Sequence, residues 1–179
     1  MQPFYEFNIL SNISLKLRNM KKIKILISIV FGLLIASCNQ DDSTSLSESD
    51  YLIFGHFYGL CIGEECIEIF KLEKNKLLKD INDNYPGRTN FYSGNYIDLG
   101  NTKFDLVKDL TDYFPNNLIN ENDTVFGCPD CADQGGLYIE YNFNGLRKFW
   151  IIDQSKESVP KYLHDFMDKV NQKIDLINN

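Results

Sequence analysis

The chain has 179 residues, of which 44% are hydrophobic and 13% aromatic, and its formal net charge is −7. This length and composition indicate one domain with a packed core, and they exclude a chain that is disordered throughout. The acidic charge, with a pI near 4.8, argues against a nucleic-acid partner.

The N-terminal 37 residues have the pattern of a targeting segment. Residues 1–19 are interpreted as an upstream extension, because Met20 opens a basic stretch that reaches Lys24. Residues 25–36 are then mostly apolar. As a helix this run would span about 18 Å, well short of a bilayer core of about 30 Å. The order of basic, apolar and small residues predicts a signal peptide over residues 20–37.

The residues at the end of the apolar run resemble the lipobox of bacterial lipoproteins. The run ends in Leu34, Ile35, Ala36, Ser37 and Cys38. In that family the cysteine is lipidated and becomes the mature N-terminus. The resemblance implies lipidation of Cys38 and a membrane partner reached through the lipid anchor, because several acyl chains hold a protein stably on a bilayer.

An acidic pair follows the lipobox cysteine. Asp41 and Asp42 resemble the export signal of surface lipoproteins in Bacteroidota. The resemblance implies a location in the bacterial cell envelope, at the outer membrane and exposed on the surface.

The segment after Cys38 is predicted to be a flexible tether. Residues 39–50 contain one apolar side chain and no aromatic one, so residues 38–50 are predicted to form a lipidated tether. Cleavage before Cys38 removes five of the 18 basic and one of the 25 acidic residues, which leaves 13 and 24 and a net charge of −11. A single folded domain is predicted over residues 51–179.

The first half of this domain carries several strand patterns and one helix. Runs of aromatic and branched residues between turn residues predict strands at residues 51–60, 66–72, 77–81 and 96–98. The first two are expected to form a hairpin. Thr102 and Asp105 have the spacing of a capping box, which predicts the start of a helix that Pro115 ends.

The second half contains the clearest hairpin and a long helix. Two alternating runs, residues 137–143 and 146–152, flank Asn144 and Gly145, which favour a type I′ turn. Residues 160–177 predict a helix with one apolar stripe. The order ββ(β)–α–ββ–α predicts an α+β domain with an antiparallel sheet of about five strands and two helices packed on it.

Lipidation of Cys38 would leave four cysteines, namely Cys61, Cys66, Cys128 and Cys131. Export to an oxidising compartment favours two disulfides, and the sequence leaves all three connectivities open. The alternative is a zinc site of four thiolates, because two residues separate the second pair as in a zinc knuckle. The same spacing also occurs in redox enzymes, but helix-breaking residues follow it here.

An aromatic segment supplies the candidate ligand-binding residues. Residues 85–96 place four aromatic rings among amide and hydroxyl groups in a predicted loop, a combination that suits a glycan or protein ligand. The candidates are Tyr85, Arg88, Phe91, Tyr92 and Tyr96. The alternative, favoured by the 20 aromatic residues in 51–179, is that these rings fold onto the sheet as part of the core.

Three functions are compatible with these features. The favoured one is a non-catalytic binding or interaction module, because no local catalytic motif occurs in the sequence. One alternative is an acidic inhibitor of a cationic protein, whose association the charge of −11 would steer. The other is a small hydrolase that uses scattered carboxylates and His56.

The body of the chain resembles small lipoproteins of Bacteroidota. The resemblance rests on residues 55–59, 127–136 and 149–153 and spans most of 51–179. The resemblance implies the same cellular location, and it carries no activity or site residues over to this chain.

Overall fold

The computed structural model describes residues 46–179. The predicted signal peptide, Cys38 and residues 39–45 lie outside the described residues. The strands and helices are β1 (Tyr51–Phe57), β2 (Ile67–Glu73), β3 (Leu77–Asp80), β4 (Tyr96–Asp98), α1 (Gly100–Val107), α2 (Asn116–Ile119), β5 (Val125–Phe126), β6 (Gly136–Phe143), β7 (Leu146–Asp153) and α3 (His164–Asn178). Short 3₁₀ turns lie at Glu64–Cys66, Leu110–Tyr113, Lys156–Ser158 and Lys161–Leu163.

The strands form one sheet in the order β4-β3-β2-β1-β6-β7-β5. All neighbours are antiparallel except β5, which runs parallel to β7. The predicted α+β class is confirmed. The sheet has seven strands instead of about five, and it is mixed instead of purely antiparallel. The unpredicted strand β5 has two residues, too few to show any alternation of polar and apolar side chains.

The two faces of the sheet are covered differently. All three helices contribute to one cluster with alternate residues of the strands, and we call this side the helix-covered face. Its strand residues include Leu52, Phe54, Phe70, Leu72, Ile139 and Trp150. The opposite side, the loop-covered face, buries Ile53, Phe57, Ile69, Tyr138, Phe149 and Ile151 together with Tyr92.

The predicted hairpin of β6 and β7 and the predicted last helix are both present. Asn144 and Gly145 have φ values of 52° and 80°, as the type I′ turn requires. The predicted apolar stripe of the last helix is buried on the helix-covered face and consists of Leu163, Phe166, Met167, Val170, Ile174 and Ile177.

The predicted capping box is wrong. The helix α1 begins at Gly100, before Thr102, and no side chain caps its N-cap residue. The side chain of Asp98 instead accepts a hydrogen bond of 2.7 Å from the Gly100 amide. The helix also ends at Val107, and a 3₁₀ turn then carries the buried Leu110. The apolar spacing suggested one continuous helix. Instead the helix stops at Val107, and Leu110 reaches the core from the 3₁₀ turn.

The folded body begins before residue 51. Leu46 is 8% exposed and packs in the cluster of the helix-covered face. Asp50 is 2% exposed and accepts hydrogen bonds from the amides of Ser47 and Asn144. Leu46 and Asp50, which lie in the segment predicted to be a flexible tether, therefore belong to the folded part of the chain.

Candidate functional site

The loop-covered face is closed by residues 81–95, which connect β3 to β4 and which we call the aromatic loop. Tyr92, near its end, packs against the sheet with its ring centroid 5.6 Å from that of Tyr138. The register places Gly55 between Ile69 and Tyr138. Gly55 has no side chain, so it leaves space in the row of the sheet where Tyr92 packs against Tyr138.

A buried carboxylate, Glu140 on β6, holds the aromatic loop near its end, at Tyr92. Its Oε1 accepts hydrogen bonds from Tyr51 Oη (3.0 Å) and from Nε and Nη2 of Arg147 (2.9 and 2.7 Å). Its Oε2 accepts from Tyr138 Oη (2.6 Å) and from the Tyr92 amide (3.2 Å). Glu140 is completely buried, so these five donors replace the water that its charge would otherwise need.

A second buried carboxylate, Asp80, ties the two ends of the aromatic loop together. Its Oδ2 accepts hydrogen bonds from the amides of Asn82 (3.3 Å) and Asp83 (3.1 Å) and from Tyr92 Oη (2.6 Å). Its Oδ1 accepts from the Asn95 amide at 2.6 Å. Asp80 thereby satisfies backbone donors at both ends of a loop that has no ladder of its own.

These carboxylates keep the tyrosines of the loop-covered face protonated. Burial, followed by the charge of Glu140, raises the pKa of Tyr51 to about 12. Burial and the hydrogen bond to Glu140 raise the pKa of Tyr138 far above its ordinary value, and burial with Asp80 does the same for Tyr92. All three hydroxyls are therefore neutral hydrogen-bond donors near neutral pH.

The far side of the aromatic loop is held by the Cys128–Cys131 segment. Tyr85 packs edge-on against Phe57 with 4.9 Å between ring centroids, and its hydroxyl donates to Asp130 Oδ2 at 2.9 Å. Arg88 Nη2 donates to the carbonyl oxygen of Pro129 at 3.1 Å. The loop is thus fixed at its two ends, at Tyr92 and in the region of Tyr85 and Arg88.

Phe91 projects from this loop beside an open cleft. Its side chain is 41% exposed, its ring lies 5.4 Å from that of Phe149, and the guanidinium of Arg147 lies 3.9 Å from its centroid. The cleft has a volume of about 280 Å³. Its lining consists of Phe91, Glu121, Asn122, Thr124, Arg147, Lys148, Phe149 and Trp150.

The cleft follows from the shortness of β5. The strand β5 pairs with β7 only at Ile151 and Ile152, and the preceding Thr124 accepts a hydrogen bond from the Ile151 amide at 2.8 Å. Before Thr124 the chain lies apart from β7, and Lys148 spans the gap to the carbonyl oxygens of Ile119 and Glu121. The gap between this part of the chain and the edge of β7 is therefore the cleft.

The structure divides the five predicted ligand-binding residues into three groups. Phe91 lines the cleft. Tyr92 and Tyr96 pack in the cluster of the loop-covered face, as the alternative interpretation of the aromatic segment expected. Tyr85 and Arg88 are exposed and attach the loop to Asp130 and Pro129.

Sequence patterns did not indicate several cleft residues, above all Arg147, or the buried Glu140 with which Arg147 pairs. A usable signal existed. A two-residue turn at Asn144 and Gly145 places Glu140 opposite Phe149 and close to Arg147. By contrast, the approach of Phe91 depends on a long loop, for which no local pattern gives the position.

The four cysteines pair within each couple. Cys61 lies at disulfide distance from Cys66, and Cys128 from Cys131, with Cα atoms 5.5 Å apart in both couples. This selects one of the three connectivities that the sequence left open. Within residues 46–179, no group of three or more His, Cys, Asp or Glu side chains is arranged to hold a metal ion.

The two histidines serve as links within the fold. His56 Nε2 lies 3.3 Å from Oε2 of the buried Glu68 and 3.2 Å from the carbonyl oxygen of Glu65. His164 contacts the carbonyl oxygen of Val159 at 3.3 Å. Neither histidine lines the cleft beside Phe91.

Comparison with known proteins leaves the geometry as the main guide to function. No protein-family model matches the chain, and no curated protein matches it significantly. Among the residues that the structure describes, none of the helices has the length and apolar character needed to cross a membrane.

Proposed function

We propose that this protein is a binding module of the bacterial cell envelope, lipid-anchored through Cys38 and not itself a catalyst. The lipobox-like residues 34–38 support the anchor, and Leu46, only eight residues beyond Cys38, already packs in the domain. Such a short tether would hold the body close to the outer membrane. Labelling with a palmitate precursor is expected in the wild type and lost in Cys38→Ala; equal labelling of both contradicts the anchor.

The ligand proposed for the cleft is a short saccharide. The observation that carries this proposal is the exposed ring of Phe91, braced by Phe149 and Arg147 at the rim of the cleft. A sugar ring presents C–H groups to an aromatic face and hydroxyls to the amide of Asn122 and the hydroxyl of Thr124. The cleft volume is close to the lower limit for small-ligand sites.

The charged groups of the cleft favour binding over catalysis. Glu121 accepts a hydrogen bond of 2.8 Å from Tyr162, and Lys148 donates to two carbonyl oxygens. Arg147 is committed to Glu140. A general acid or base must be able to exchange a proton with its substrate, whereas these groups are engaged in holding the walls of the site.

The single tryptophan provides the readout. Trp150 lines the cleft, and no other tryptophan occurs in the chain. Titration with trisaccharides of glucose, mannose and N-acetylglucosamine is expected to change its fluorescence for at least one sugar. Phe91→Ala is expected to weaken that binding about two- to ten-fold, because an aromatic contact is worth about 0.5–1.5 kcal/mol beyond its buried area.

Tyr113 is the matched control for Phe91. It is 45% exposed, against 41% for Phe91, and it likewise has a cation over its ring, with Lys169 Nζ 4.5 Å from the centroid. It lies in the 3₁₀ turn on the helix-covered side. Equal affinities of Tyr113→Ala and Phe91→Ala, or a fluorescence response to peptides but to none of the sugars, would contradict the saccharide proposal.

A further inference from the structure

Two residues enclosed by a disulfide hold the aromatic loop. The Cys128–Cys131 pair encloses only Pro129 and Asp130. The first accepts the hydrogen bond from Arg88, and the second accepts the one from Tyr85. These donors are 41 and 45 residues away in the sequence. The smallest disulfide loop of the molecule therefore carries the outer attachment of the longest loop beside the cleft.

The backbone of this segment is restrained by closure of the disulfide loop and by the hydrogen bond from the Cys128 amide to Asp153 Oδ2. Asp130 has a φ of 62°, in the left-handed region that is unfavourable for residues other than glycine. Its amide donates to Gly135, and the Cys131 amide donates to Cys128. When the sulfur atoms are joined, the backbone is restrained to this turn, and the carboxylate of Asp130 stays where Tyr85 reaches it.

We propose that the thiol–disulfide state of Cys128 and Cys131 controls the position of the aromatic loop and, with it, the cleft. A dithiol reductant transfers two electrons and two protons to the sulfur–sulfur bond. Cys128 and Cys131 become thiols, and the two thiols of the reductant become a disulfide. Both cysteine residues are exposed, so an external dithiol can reach them.

A change in the position of the aromatic loop affects the cleft through Phe91, which lines the cleft and lies three residues after Arg88. Once Arg88 and Tyr85 lose these hydrogen bonds, the stretch before Phe91 loses its polar attachment to the Cys128–Cys131 segment and keeps the packing of Tyr85 on Phe57. Tyr92 stays bound to Glu140. The exposed ring then loses its fixed place against Arg147. The link from loop to ligand rests on the proposed function, whereas the release of the loop does not.

The other disulfide is a matched internal control. Cys61–Cys66 closes a loop of similar size, separated by five positions instead of three. The enclosed residues form hydrogen bonds within the β1–β2 hairpin: the Cys66 amide donates to the carbonyl oxygen of Gly63, and the His56 ring contacts the carbonyl oxygen of Glu65. Its removal is therefore expected to leave the aromatic loop attached.

Limited trypsin digestion of the folded full-length protein tests the proposal. Arg88 lies in the exposed part of the loop, and Lys76 in the exposed turn between β2 and β3 serves as an internal reference. Cleavage after Arg88, relative to Lys76, is expected to be about ten-fold faster in Cys128→Ser/Cys131→Ser than in the wild type, because two hydrogen bonds are lost. In Cys61→Ser/Cys66→Ser the ratio is expected to stay within about two-fold of the wild type.

A second variant keeps the proposal testable if the double serine variant fails to fold. Asp130→Gly retains the positive φ and both sulfur atoms but removes the carboxylate, and it is expected to accelerate cleavage after Arg88. An unchanged ratio of Arg88 to Lys76 cleavage in Cys128→Ser/Cys131→Ser and Asp130→Gly overturns control of the loop. Equal acceleration after replacement of either cysteine pair overturns it as well. Faster cleavage in a protein that binds no saccharide supports control of the loop and overturns only the proposed ligand.

Discussion

The two faces of the sheet are buried by different means. The helix-covered face has a cluster of 22 buried residues, nearly all of them apolar. The loop-covered face buries only seven such residues but encloses the carboxylates of Asp80 and Glu140. By the number of buried apolar side chains alone, the loop-covered face would be the less stable one, yet both faces are shielded from water.

The difference follows from how each cover satisfies its own backbone. A helix bonds its amides internally, so most of the side chains that it presents to the sheet can be apolar; Asn178 of α3, which donates to the buried Glu68 of β2, is an exception. The aromatic loop cannot, so its amides at Asn82, Asp83, Tyr92 and Asn95 donate to side chains of the sheet. A loop that covers a sheet therefore requires buried acceptors, and two carboxylates, with two lone pairs on each oxygen, supply many at once.

Removal of the central acceptor is the strongest test of this comparison. Glu140→Gln is expected to lower the free energy of unfolding by about 3 kcal/mol, because it breaks a buried ion pair and puts amide hydrogens against Tyr138. Urea denaturation provides the measurement. Glu73→Gln is the control: its pair with Lys71 is partly exposed, and a loss of less than about 0.5 kcal/mol is expected. Equal losses would show that Glu140 does not support the loop.

Asp80→Ala should have a smaller and more local effect. We expect a loss of about 2 kcal/mol, since the freed amides can reach water when the loop opens. Hydrogen exchange should accelerate at Asn82 and Asn95 and stay unchanged in β6. Asp98→Ala, which removes an exposed carboxylate bonded to the Gly100 amide, is the control for losing an acid nearby. Acceleration spread evenly over the sheet would argue against a local role for Asp80.

The smallest expected effect concerns pH and lies at the start of β1. Burial alone would raise the pKa of Asp50, but hydrogen bonds from Ser47 and the Asn144 amide outweigh it and hold the pKa below its usual 3.8. Because the folded pKa is the lower one, this stabilisation is present above about pH 4 and is lost as the pH falls through the folded value.

Asp50→Asn should therefore flatten the loss of stability between about pH 4 and pH 2. Thermal unfolding of the variant and the wild type at matched pH values gives the comparison. Asp112→Asn, at an exposed position, should leave the acid limb of the profile unchanged. A parallel shift of both variants would remove Asp50 as the cause.

The success of prediction from sequence differed between features that depend on neighbours in the chain and features that depend on distant contacts. The stripe of α3 and the turn at Asn144 and Gly145 depend on neighbours in the chain, and local patterns indicated both. The break after Val107 and the two-residue strand β5 depend on the sheet and on distant contacts, so no periodic pattern indicated them.

The candidate site was predictable only in outline. The sequence singled out the aromatic segment, and Phe91 of that segment lines a cleft, whereas ligand binding there stays a prediction. Whether each ring pointed inward or outward could not be read from the sequence, because it is set by Asp80 and Glu140, which lie in other strands. Tyr92 is buried and Phe91, its neighbour, is exposed for that reason.

The place where the chain enters the sheet has a mechanical consequence. The strand β1 is the central one of seven and is paired along its length with β2 and β6. A membrane anchor that precedes Leu46 would pull along this strand. The load would act in shear on the hydrogen-bond ladders that β1 forms with β2 and β6, so many hydrogen bonds would share it. An edge strand, by contrast, would be peeled away one bond at a time. Attachment through the proposed anchor would thus load the central strand of the sheet, which would suit the proposed role of holding a ligand at a cell surface.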